Sequence, residues 1–232
     1  MTFNWLECND TFHVLAGRWL QSERYISPVV KKYRTRIQSF KGRKIKFIFK
    51  DANNPYVFIL SSYDTVNFKT TEFALDPSNK WFDPKSHSSG LPRIVWCDGP
   101  YPASASDLTI FRGGKKDQDI RTWDHDALFF KIPAGKKLVR DGGYAGEAAK
   151  ILLQSLSHPA EMRIWIGKVK ARQETMHARL KSYKILHNRF YYGTSTQQKM
   201  DYHKMATEAI VVLTQYAYEN GHPPFDVKMP KC

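Results

Sequence analysis

The sequence predicts an α/β domain built on a mixed sheet, and three observations carry that expectation. Tyr56-Val57-Phe58-Ile59-Leu60 is an unbroken run of β-branched, aromatic and aliphatic residues. Such a run suits a strand buried on both faces, at the centre of a sheet. From about Val169 the apolar residues change to a helical period. The elements between and around them read strand–strand–helix–strand–helix–strand–helix without internal repeats, the alternation of an α/β fold.

Taken in order, residues 1 to about 46 read as mostly helical. Trp19, Leu20 and Tyr25 supply part of an apolar face, and Pro28 is expected to start or break a helix. Eight Lys/Arg fall between Lys31 and Lys46, among them Lys31, Lys32, Arg34 and Arg36, with Tyr33, Phe40 and Phe47 interleaved. Such a stretch either lies along a phosphate backbone or forms a solvated helix face. The central strand runs from Pro55 toward Thr65 and brings Asp64 near its end, where a carboxylate needs a cation, donors or a metal. Thr71–Leu75 follows, then a proline-containing loop. Arg93–Cys97 reads as a strand stopped by Asp98-Gly99-Pro100. Ser106 or Asp107 can cap the short helical segment Leu108–Phe111. Residues 112 to 127 are polar, and their aspartates lack the glycine and closing glutamate of a calcium-binding loop.

Leu138-Val139-Arg140-Asp141-Gly142-Gly143-Tyr144 is a short strand that delivers a carboxylate onto a glycine turn. Glu147–Leu156 is helical by composition, Met162–Ile166 reads as a further strand, and Glu174 sits on the helix after it. On that helix Met176 and Leu180 fall near one face, and Glu174, His177, Ala178 and Lys181 on the adjacent one. A last helix spans about Tyr202 to Asn220 and ends at Asn220-Gly221 before Pro223-Pro224.

The bulk properties narrow the partners. A chain of 232 residues with 42% hydrophobic content can bury a real core, and a formal charge of +14 points to a polyanion, most simply nucleic acid. No run reaches the ~20 apolar residues of a membrane span, so no membrane partner is expected. Cys8, Cys97 and Cys232 are scattered and odd in number, which suits a reducing compartment and offers no zinc site of CxxC type. The N-terminus lacks a secretory signal pattern.

An aspartate at a strand end and a glutamate on a helix can hold a divalent metal over a phosphodiester. Four blocks extend that idea into a family resemblance. Val95-Trp96-Cys97-Asp98-Gly99-Pro100-Tyr101-Pro102-Ala103-Ser104-Ala105-Ser106-Asp107, followed by Ile110-Phe111-Arg112, resembles the GP-P-S-D-iFR segment of DDE superfamily endonucleases. That superfamily includes PIF/Harbinger-type transposases and host proteins derived from them. Arg140-Asp141-Gly142-Gly143-Tyr144 is similar to the DxGY block with the second catalytic aspartate. Ala171 to Lys181 is similar to the helix with the catalytic glutamate. Tyr202-His203-Lys204, Gln215-Tyr216 and Asn220-Gly221-His222-Pro223 resemble the closing helix.

The resemblance implies an RNase H-like mixed sheet flanked by helices, over residues 51–232, after a basic helical segment at 1–50. It implies Asp64, Asp141 and Glu174 as catalytic residues and ligands of two Mg²⁺ ions, with Mn²⁺ able to substitute. Three converging carboxylates favour hard cations, and two ions ~3.5–4 Å apart can activate a nucleophile and stabilise the leaving oxygen. Asp51 is the alternative first aspartate, disfavoured because it precedes the buried run. Arg172 and Lys181 would contact DNA phosphate or steady Glu174, and Lys31, Lys32, Arg34 and Arg36 would add DNA contacts. The implied setting is nuclear, with the cytoplasm as the alternative. DNA is the implied partner, with a separate DNA-recognition protein and self-association as further expectations.

The chain departs from the family pattern in four places. Thr65 follows Asp64 where glycine is usual. Only Pro92 fills a stretch between Gly90-Leu91 and Arg93 that usually holds a further strand, so the sheet is expected to be one strand short. Arg140 stands directly beside Asp141, where a small or apolar residue is expected. His177 lies near the family's asparagine. These departures favour an alternative function, a catalytically inactive transposase-derived DNA-binding protein.

Overall fold

A computed structural model describes residues 1–45, 56–62, 66–73, 82–83, 88–89, 93–102, 105–132, 134, 136–188, 190 and 192–222. Asp64, Asp51 and the Gly90–Pro92 junction lie outside them.

Four helices open the chain: α1 (Thr2–Cys8), α2 (Phe12–Trp19), α3 (Glu23–Gln38) and α4 (Lys41–Lys44). Thr11 and Ser22 cap α2 and α3 by accepting from Val14 N and Tyr25 N. Pro28 neither starts nor breaks α3 but sits inside it. It lies early in the helix on the outward side, so the missing amide costs one hydrogen bond while the apolar side, Ile26 and Val30, still packs.

The sheet follows. Strands β1 (Tyr56–Ser62), β2 (Val66–Phe73), β5 (Arg93–Pro102), β6 (Lys137–Arg140) and β7 (Ile151–Leu153) stand in the order β5-β2-β1-β6-β7. The pairs β1/β2 and β2/β5 are antiparallel, whereas β1/β6 and β6/β7 are parallel. The sheet is therefore mixed, and the Tyr56–Leu60 run lies on its middle strand, as its composition predicts. Among the described residues β3 (Phe82–Asp83) and β4 (Ser88–Ser89) pair only with each other.

Three sequence expectations change here. The strand at Arg93 does not stop at Asp98-Gly99-Pro100 but continues to Pro102. Gly99 adopts φ 130°, and the pairing shifts between Asn67/Tyr101 and Lys69/Asp98, so Gly99 and Pro100 form a bulge opposite Phe68. An edge strand tolerates both prolines, which have no N–H to give. Residues 147–156 are not a helix: a turn leads into β7, because Ile151–Leu153 complete a parallel ladder on Leu138–Arg140. Met162–Ile166 is not a strand but the first part of α7 (Ala160–Ser182). Trp165, Ile166 and Val169 recur at helical spacing and pack on Val139.

The remaining helices are α5 (Asp107–Arg112), α6 (Leu128–Lys131), α8 (Lys184–His187) and α9 (Thr196–Glu219). Successive residues of β6 face opposite ways. Leu138 joins Trp96, Phe111, Leu128, Ile132, Tyr144 and Ile151 on one side, and Val139 meets α7 on the other. The largest core cluster joins Trp5, Leu15, Ile26 and Val30 of the N-terminal helices to Ile94 of β5, Met176 and Leu180 of α7, and Ile210 and Tyr218 of α9. The N-terminal helices thus belong to the same core as the sheet. No described helix is long and apolar enough to cross a membrane.

Candidate active site at the end of strand β6

Strand β6 is apolar where it crosses the core and polar where it leaves it. Leu138 and Val139 are fully buried, whereas Asp141, the next residue after the strand, is exposed. Asp141 caps a 3-10 turn at Gly142–Tyr144, its Oδ1 accepting from Gly143 N at 3.0 Å. That bond orients the carboxylate of an exposed residue. The turn is held from behind by Arg112 of α5, which is 4% exposed and donates through Nε to Glu147 Oε1 at 2.5 Å. Its guanidinium also lies 5.9 Å from the Trp123 ring. The arginine of the IFR segment therefore fixes the loop that follows Asp141.

Asp107 also belongs to this site. Ser106 takes the cap of α5, accepting from Thr109 N at 3.2 Å, which frees Asp107 from that work. A Cβ at Gly143 would stand 3.2 Å from Asp141 Oδ1 and 3.3 Å from Asp107 Oδ2, so the two carboxylates flank one point. A side chain there would crowd both oxygens and require them to give by a few tenths of an ångström.

Beneath them lies Arg140, 3% exposed, its guanidinium 4.6 Å over the Tyr144 ring. Burial lowers its pKa, and Tyr144, Asp141 and Asp107 act against that shift and support the charge. A resident cation thus sits directly behind the two aspartates.

Helix α7 approaches from the other face of the sheet. Gln173 Nε2 donates to Val139 O at 3.3 Å, which ties this turn of the helix to β6 two residues before Asp141. Glu174, the next residue, has an 80% exposed side chain. His177 is 12% exposed, and its Nδ1 lies 3.8 Å from Glu174 Oε2. That separation is too long for a hydrogen bond. Nor is it an ion pair at neutral pH: burial first, then Arg140 and Lys181, push the imidazole down to about 3. Its buried Nε2 has no hydrogen-bond partner among the described residues.

The remaining expected contacts divide by exposure. Lys31, Lys32 and Arg36 are exposed on α3, and Lys181 is half-buried on α7. Arg34 and Arg172 are buried instead, at 3% and 7%. The Arg34 guanidinium lies 4.8 Å over Tyr202 and 5.6 Å from Trp5, and it donates to Met205 Sδ at 3.5 Å. Arg34 thus works inside the core, on the face of α3 opposite the solvent.

Asp141, Asp107 and Glu174 are hard oxygen donors, the chemistry suited to Mg²⁺ or Mn²⁺. Among the described residues, no three His, Cys, Asp or Glu side chains converge as a metal cluster. Asp107 is the site residue that sequence reasoning passed over. Its motif was in view, but it was weighed only as a helix cap. No family model matches this chain, and no curated protein or solved structure matches it either.

Proposed function

We propose that this chain is a divalent-metal-dependent DNA endonuclease or transposase domain of DDE type on an RNase H-like sheet. One arrangement carries the reading. Strands β1 and β6 are parallel neighbours, so their carboxyl-terminal ends lie at the same sheet edge. Asp141 follows β6 there, β1 ends at Ser62 two residues before Asp64 in the sequence, and the Gln173 bond holds Glu174 of α7 close to β6. A cation held by Asp141 and Glu174, with Asp64 as third ligand, would activate the attacking water or 3′-hydroxyl and stabilise the leaving oxygen.

The chain's own residues do the positioning. Gly143 N–H orients Asp141 and the Arg112–Glu147 pair fixes its loop, while Glu174, exposed on α7, would complete an open site. Lys181, Lys31, Lys32 and Arg36 neutralise DNA phosphate, and the net charge of +14 favours that partner. A nuclear setting, self-association and a separate DNA-recognition partner belong to the same proposal.

A second reading is favoured by one observation. Arg140 places a buried positive charge directly behind Asp141, which opposes a divalent cation at that carboxylate. On this reading the protein binds DNA without cutting it. Plasmid nicking with Mg²⁺ or Mn²⁺ decides between them. The nuclease reading expects nicking by the parent and none by Asp141→Asn. Nicking that survives in Asp141→Asn would remove the site assignment. Salt-sensitive DNA binding without cleavage, unchanged by Asp141→Asn, would establish the second reading.

A further inference from the structure

The outer face of α3 combines two exposed rings with surface cations. Tyr25 and Tyr33 are 53% and 54% exposed. Neither ring stacks on another ring or on a cation among the described residues. Lys32 and Arg36 are exposed on the same helix. At ~100° per residue, Lys32 and Arg36 each lie roughly 20° from Tyr25 around the axis, on opposite sides of it, and Tyr33 lies about 80° from Tyr25. The two tyrosines are ~12 Å apart along the helix.

The opposite face shows what the fold does with such groups when it needs them. Ile26, Val30 and Arg34 point into the core, and Arg34 is covered by Trp5 and Tyr202. Lys41 and Lys44 of α4 are likewise taken up by Glu208 and Glu219 of α9. The basic stretch is therefore partitioned. Arg34, Lys41 and Lys44 serve packing, while Lys32 and Arg36 remain at the surface beside the two unstacked rings, Arg36 with its guanidinium 5.7 Å from the Phe40 ring. The one acid in the first turn of α3, Glu23, faces His13 at 2.8 Å.

We infer that the outer face of α3 is a binding site for single-stranded DNA, with Tyr25 and Tyr33 as stacking platforms and Lys32 and Arg36 on the adjacent phosphates. Duplex DNA hides its base faces and offers only backbone to such a surface. A single strand offers both faces and charge, and that is what spaced aromatics with intervening cations recognise. The choice of DNA over RNA rests on the proposed nuclease function, whereas the stacking face itself stands without it.

The test is fluorescence anisotropy of the full chain with labelled oligo-dT, oligo-rU and a duplex of equal length, at several salt concentrations. Tyr25→Ala/Tyr33→Ala should weaken oligo-dT binding by about tenfold for each ring lost and change duplex binding by less than about threefold. Tyr25→Phe/Tyr33→Phe keeps the rings and should bind oligo-dT as the parent does. Lys32→Gln/Arg36→Gln should weaken all three ligands and lower the salt slope by about 1.4 on the single strands and about 1.8 on the duplex. Both tyrosines are exposed, so an unchanged melting temperature verifies that the variants fold. Equal loss on single strand and duplex, or no loss, would overturn the stacking site. Tighter binding of oligo-rU than oligo-dT would overturn the choice of DNA. None of these outcomes depends on cleavage, so they are separate from the Asp141→Asn result.

Discussion

His177 ties the candidate site to pH. An ordinary histidine titrates near 6.5, and in the folded chain burial, then Arg140 and Lys181, push this one down to about 3. Between those values the unfolded chain binds more protons than the folded one. The contribution is therefore fully present above 6.5 and is lost as pH falls from 6.5 toward 3. At pH 4.5 the loss from this one group is on the order of 2 kcal/mol. Urea unfolding at pH 7 and 4.5 measures it. His177→Asn should shrink the difference between the two pH values by most of that amount, and an unchanged difference would mean that the imidazole does not control it. At this scale the sequence was partly legible. The blocks around Asp141 and Glu174 stood out because glycine turns and charge on a helix are local features. That Asp107 joins Asp141, or that Arg34 turns inward, depends on which chain segments meet, and neighbours in sequence do not encode that directly.

Elements were legible where local pattern and tertiary demand agree. The middle strand, the Ser106-capped α5 and the closing helix α9 are read from their own residues. The misread elements are those where the two compete. Met162-Arg163-Ile164-Trp165-Ile166 has strand composition, yet it continues into the helical pattern of Val169–Leu180, and packing on Val139 makes the whole stretch one helix. Glu147-Ala148-Ala149-Lys150 has helix composition, yet Glu147 is drawn to Arg112 and the residues after it pair with β6. The β5 edge supplies a test at this scale. Ile94 N donates to Gln215 Oε1 of α9 at 2.7 Å, in a buried setting. Gln215→Leu leaves that N–H without an acceptor, at a cost of about 1–3 kcal/mol. A melting temperature lowered by a few degrees and faster hydrogen exchange at the Ile94 amide are expected. An unaltered exchange rate would show that the edge is satisfied in another way.

For the molecule as a whole, composition and charge raise the expectation of a polyanionic partner, while the division into a basic N-terminal segment and a following domain is drawn from the resemblance. Packing adds a constraint that composition does not contain. Trp5, Leu15, Ile26 and Val30 share one cluster with Ile94, Ile210 and Tyr218. A chain beginning at residue 46 would expose the α9 and β5 side of that cluster. It should bind a hydrophobic dye and lose its cooperative melt, read by circular dichroism and ANS fluorescence. A cooperative melt at the parent temperature would make the two parts independent.

The same shared cluster has a consequence for synthesis. Gln38 and Glu208, which are hydrogen-bonded, are 170 residues apart in the chain. Helices α1 to α3 therefore find their main apolar partner, α9, only when the last described helix leaves the ribosome. Until then Leu15, Ile26 and Val30 have no completed core to enter, and such waiting surfaces are where chaperones act and nascent chains aggregate. Long-range closure of this kind also slows folding, because the loop entropy is spent before the contacts form. The interlock that joins α3 to α9 thus leaves the earlier helices exposed until α9 has been made.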